Sequence, residues 1–80
     1  MDNFERIKTL IIEELGNDFK KIDPESITKD THLMDDIKAD SMDIMQLVMR
    51  IETEYSVEIP DNILTGIRTV GDIVAHLDSL

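Results

Sequence analysis

Eighty residues predict one domain, and a chain of that length buries only about 60% of the surface it exposes when unfolded, too little to enclose a large catalytic cavity. Eighteen acidic residues against eight basic ones give a formal charge of -10, which repels nucleic-acid backbones and anionic membranes and selects basic partners. There is no cysteine, hence no disulfide framework and no thiolate of the chain's own, and no apolar run of about 18 residues that could span a membrane. The start MDNFERIKTL lacks the basic region of a signal peptide, so the expectation is a soluble, cytoplasmic monomer.

Asn3 or Asp2 can cap a first helix over residues 3 to 15, in which Phe4, Ile7, Leu10, Ile11 and Leu15 keep the three-four rhythm of one buried face until Gly16. Residues 16 to 39 are irregular and rich in turn formers (KKIDPESITKDTH). A loop that long needs anchors, and Ile22, Ile27, Leu33 and Ile37 are spaced to supply them, with a helical turn near Leu33 to Ile37. Asp40 caps a second helix over about 41 to 55, with Asp43 as its capping-box partner. Pro60 and Asp61 open a short third helix near 61 to 65. Thr69 caps a fourth, whose Val70, Ile73, Val74 and Leu77 form one apolar stripe. The prediction is an all-α bundle of three longer helices and one short one, with a long loop between the first two.

The second helix has more apolar residues than a core requires. At about 100° per residue, Ile44, Leu47, Val48, Ile51 and Tyr55 share one arc, and Met42, Met45 and Met49 fall nearly opposite it. Methionine opposite a complete core stripe predicts an adaptable docking surface. From Asp35 to Asp61 eight acids accompany two bases, Lys38 and Arg50, an arrangement that predicts an electrostatic steering rim around that surface.

Ser41 follows the capping Asp40, so its hydroxyl stands at the first helical position where the backbone does not need it. The N–H groups and dipole of that end favour a phosphate there. Nothing equips it as an unaided nucleophile: G-x-S-x-G is absent, and His32 and His76 show no pattern relating them to Ser41. An EF-hand beginning at Asp35 fails because Ile37 and Ala39 stand where oxygen ligands are needed and Asp40 where glycine is, and no metal is expected.

The string LMDDIKADSMDIMQLVMRIETEYSVEIPD, with Ile67, Thr69 and Val70 after it, resembles the modification-site and second-helix region of acyl carrier proteins, which read close to F-x-E-D-L-G-A-D-S-L-D, V-E-L-V-M, E-x-x-F and I-P-D. The likeness extends over nearly the whole chain. It implies that Ser41, beside Asp40, carries a 4'-phosphopantetheine arm transferred from coenzyme A by a holo-synthase or phosphopantetheinyl transferase, and that the thiol of that arm holds an acyl cargo as a thioester. The resemblance further implies that the second helix docks on basic patches of acyl-transferring, condensing and reducing enzymes through Met42, Asp43, Met45, Gln46, Met49 and Glu52, with Asp40 and Glu54 as further acidic contacts. By the same likeness the acyl chain shelters against Ile44, Leu47, Ile51, Ile59 and Ile67. A carrier of this kind is not itself an enzyme, and serves fatty-acid or related polyketide or lipid synthesis. Lys38 stands where the family commonly has glycine, Met42 where it has leucine, Gln46 and Thr53 where it often has glutamate, and Arg50 where it has a small residue. Two alternatives stand beside this reading: an aminoacyl carrier, D-alanyl or peptidyl, loaded by an adenylating enzyme, and a plain helical adaptor with Ser41 unmodified.

Overall fold

The computed structural model describes residues 2–16 and 22–80. The part of the long loop formed by residues 17–21 lies outside the described residues. The chain runs α1 (Asn3–Leu15), a 3-10 turn (Pro24–Ser26), α2 (Ser41–Tyr55), α3 (Asp61–Leu64) and α4 (Val70–Asp78), the expected helical bundle of three longer helices and one short one. Each longer helix starts where a side chain can replace the missing backbone acceptor. Asp2, rather than Asn3, caps α1 by accepting from Glu5 N–H at 2.8 Å. Asp40 with Asp43 and Thr69 with Asp72 form reciprocal capping boxes on α2 and α4. The short helix stops at Leu64, one residue before the expected end, although Thr65 keeps helical dihedrals and its N–H still donates to Asp61.

The buried faces meet as the periodicity requires. Ile7, Leu10, Ile11 and Leu15 of α1 pack in one cluster with Leu47, Val48 and Ile51 of α2 and Val70, Ile73, Val74 and Leu77 of α4. Ile27, Leu33 and Ile37 of the long loop are buried in the same cluster, and Ile22 packs partly buried against it. Burial of an aliphatic side chain contributes about 1.5–3 kcal/mol, so these anchors offset much of the entropy of ordering the connection.

Apolar anchoring is only half of what holds that loop. Leu33 N–H donates to Arg68 C=O (3.0 Å), Val70 N–H to Thr31 C=O (3.0 Å) and Gly71 N–H to Lys29 C=O (2.8 Å), so residues 29–33 are fastened along the entry to α4. His32 and Thr69 form an isolated antiparallel bridge. Glycine is required at 71, since a Cβ there would stand 2.8 Å from the Lys29 carbonyl oxygen. The chain then turns tightly: Asp36 and Ile37 donate to the His32 carbonyl, while the Asp36 carboxylate accepts from His32 N–H at 2.7 Å. This is the turn expected near Leu33 to Ile37. Ala39 N–H returns to Leu33 C=O (3.0 Å), and the next residue is the cap of α2. The position of Ser41 is thus set from the entry of α4 through three backbone hydrogen bonds to residues 29–33 and three more within residues 32–39.

Candidate functional site at the start of α2

Asp40 adopts extended backbone dihedrals and turns its carboxylate onto Asp43 N–H (2.9 Å), while the Asp43 carboxylate reaches back to Asp40 N–H (3.2 Å). With the cap supplied by aspartate, Ser41 is the first helical residue, is exposed, and has no hydrogen bond to its hydroxyl among the described residues. The capping box uses the N–H groups of Asp40 and Asp43. Those of Ser41 and Met42 remain at the positive end of a fifteen-residue helix, where they can receive phosphate oxygens. A phosphodiester on Ser41 Oγ therefore fits in both space and charge. Two residues before the cap, Lys38 holds a φ of 66°, in the left-handed region where glycine is favoured. That is the position at which acyl carrier proteins commonly have glycine, and the backbone keeps the glycine-like conformation with a lysine in place.

Along α2 the three methionines stand outward, with Met42 72%, Met45 45% and Met49 60% exposed, and Gln46 and Thr53 are exposed with them. The residues named for the acyl chain lie on the other side. Leu47 and Ile51 are 0%, Ile59 6% and Ile67 9% exposed, closed into the core, and Ile44 is half-buried at its border. Of these five, Ile67 lines a surface recess, an opening of about 350 Å³ bounded by Ile63 of α3 and Ala75 and His76 of α4. The Nε2 atom of His76 is buried and unpartnered. A larger recess of about 650 Å³ lies under the long loop, with Ile27, Thr31, Ile37 and Lys38 in its wall. Sequence reasoning did not identify it, since its walls come from loop residues without periodicity.

The acidic residues are bound up within the chain to an extent their number does not suggest. Arg50 donates to Glu14 (2.7 Å), Glu13 (2.9 Å) and Glu54 (3.2 Å), joining α2 to α1. Arg6 reaches Glu54 from the other side at 3.3 Å and lies over the Tyr55 ring. The hydrogen bond from Arg50, then that from Arg6, holds the Glu54 carboxyl below the usual carboxylate range, and Glu14, Glu54 and Glu13 together raise the guanidinium pKa further. Glu52, expected as a partner contact, accepts from Ile59 N–H at 2.8 Å and ties the segment after α2 back to the helix. His32 accepts through Nδ1 from Met34 and Asp35 N–H, which gives it a turn-forming role.

A free hydroxyl at the head of the second helix of a small bundle, with phosphate-compatible N–H groups beside it, defines a carrier domain for a phosphate-linked arm. The family model for the phosphopantetheine attachment site matches residues 5–77. The chain belongs to that family, whose domain is the site of covalent 4'-phosphopantetheine attachment. Among solved structures it is similar to a chain from Mycobacterium tuberculosis described as a putative acyl carrier protein, at 29% identity and a TM-score of 0.81, with 95% of each chain covered.

Proposed function

We propose that Ser41 is the attachment residue, and that the chain carries acyl intermediates to fatty-acid or related polyketide and lipid biosynthetic enzymes without being a catalyst itself. The observation that carries this reading is the division of labour at the head of α2: Asp40 takes the cap, and the Ser41 hydroxyl is left exposed and unbonded among the described residues. The arm supplies, when bound, a thiol that holds the cargo as a thioester, which a chain without cysteine cannot supply. The chain's own residues do the rest. Asp40 and Asp43 fix the first turn, so that Ser41 Oγ is presented at one angle, and the helix end stabilises the phosphate that arrives there. A phosphopantetheinyl transferase makes the new phosphodiester by moving the phosphopantetheine of coenzyme A onto Ser41 Oγ, which loses its proton, with the adenosine bisphosphate portion leaving. The acyl chain enters the core where Ile44 is half-buried, by parting Leu47 and Ile51 from Ile59 and Ile67.

The test is intact mass after incubation with coenzyme A and a phosphopantetheinyl transferase. One phosphopantetheine per chain is expected, and none on Ser41→Ala, with unchanged helicity. Modification that survives in the alanine variant would place the attachment elsewhere.

A further inference from the structure

We infer that His76 determines which cargo the protein shelters: its Nε2 pairs with a hydroxyl borne by the acyl group at the end remote from the thioester, so that the cargo is a hydroxylated acyl group and not a plain hydrocarbon. The inference rests on the Ser41 reading and adds the chemical class of what Ser41 carries.

His76 stands on α4 one turn after the buried Ile73 and directly before the buried Leu77. Its Nε2 is closed off from solvent and has no hydrogen-bond partner among the described residues. Whichever ring nitrogen bears the proton, Nε2 has to donate or accept, and a buried group that does neither lowers stability. The polar neighbours that could have served it are engaged elsewhere. Asp72, one helical turn earlier, turns its carboxylate to Arg68 and Thr69 N–H, and Ser79 donates its hydroxyl to the His76 carbonyl at 2.6 Å.

The place of the imidazole in the fold selects its ligand. His76 is in the wall of the recess of about 350 Å³, together with Ile63, Ile67 and Ala75. Ile67 belongs both to that wall and to the closed core, where it is one of the residues that the entering acyl chain parts. A cargo that enters beside Ile44 and passes Ile67 therefore brings its far end, and not its thioester, to His76. Since Nε2 is shut off from solvent, a partner comes to it through the core, by the cargo's own route. A saturated tail laid there leaves the nitrogen unpaired. A keto oxygen satisfies it only when Nε2 bears the proton, whereas a hydroxyl both donates and accepts and so pairs with either tautomer. A carboxylate is disfavoured, because Asp72 lines the same recess and the formal charge of -10 opposes a further anion.

The experiment uses the full chain, loaded on Ser41 from acyl-coenzyme A by a broad-specificity phosphopantetheinyl transferase. Cargoes come in matched pairs: hexanoyl, octanoyl, decanoyl and dodecanoyl groups, each with and without a hydroxyl on the terminal carbon. For at least one length, the Tm of the hydroxyacyl form minus that of the plain form is expected to be about 4–8 °C more positive in wild type than in His76→Leu, as one buried hydrogen bond gives in a domain of this size. With an isotopic label on the terminal carbon of the same cargo, nuclear Overhauser contacts in the wild-type protein should run from that carbon's protons to the His76 ring and the Ile67 methyl groups. Should His76→Leu fail to fold, these contacts decide alone. Equal Tm differences in the two proteins at every length, or contacts that reach Leu47 and Ile51 and never His76, overturn the inference. Absence of any mass gain on the wild-type chain would instead refute the Ser41 reading, so the two failures are distinguishable.

Discussion

Replacing Lys38 by glycine is expected to stabilise the protein, although it deletes a long side chain. Lys38 has a φ of 66°, and Ser56, which caps the C-terminal end of α2, has a φ of 53° and a ψ of 44°; both lie in the left-handed region. An L-residue held there costs about 1–2 kcal/mol through the clash of Cβ with the backbone, a clash glycine lacks. Glycine returns about 0.5–1 kcal/mol of that gain through its greater freedom in the unfolded chain. The net is a stabilisation of about 0.5–1 kcal/mol at each site, which in a domain of this size raises Tm by about 3–6 °C. The two sites stand at opposite ends of a helix about 22 Å long, so the double variant should show the sum. Thermal and urea unfolding followed by circular dichroism measure all three. If neither glycine raises Tm, backbone strain is not stored at these positions. If Ser56→Gly stabilises and Lys38→Gly does not, the Lys38 side chain contributes more than its backbone conformation costs.

Two further outcomes rest on the same kind of geometry. The Asp72 carboxylate accepts from Arg68 and Thr69 N–H at 2.9 and 3.0 Å, and these bonds lower its pKa below the ordinary 3.8. A carboxyl whose folded pKa is depressed adds stability above its unfolded pKa and loses it as pH falls through the folded value. Wild-type Tm should therefore drop more steeply below about pH 4 than that of Asp72→Asn, and parallel acid limbs in the two melting profiles would remove Asp72 from the account. On α2, Met49→Asp should leave Tm nearly unchanged, within about 0.5 kcal/mol, because the side chain is largely in solvent. Ile51→Asp, two residues on and fully buried, should cost several kcal/mol or unfold the domain, since the new charge has no partner. Equal losses in the two melts would mean that the methionine stripe is packed.

Whatever depends on neighbours in sequence was readable from sequence. Asp40 with Asp43, and Thr69 with Asp72, announce their helices at a spacing of three, and the apolar rhythm of α1, α2 and α4 gives the buried faces because each helix carries its own stripe. The availability of Ser41 depends on the residue before it, and so was legible as well. The loop was only half legible. Its isoleucines signal burial, but the pairing of residues 29–33 with the entry to α4 is made by backbone atoms, which leave no side-chain signature apart from the glycine at 71. The turn formers in KKIDPESITKDTH marked an irregular stretch, without showing that Pro24–Ser26 would close as a 3-10 turn on an aspartate cap. The acids illustrate the limit most sharply. Counted along the chain the acids from Asp35 to Asp61 form a rim around the methionines, yet Arg50 pairs with Glu54 of that rim and with Glu13 and Glu14 of α1, 37 and 36 positions away. A formal charge belongs to the sequence, but whether that charge is offered to a partner is decided by contacts the fold brings together. The exposure of the Ser41 hydroxyl therefore rests on local chemistry, while the pairing of the Arg50 guanidinium with Glu13 and Glu14 rests on the long-range packing of α1 on α2.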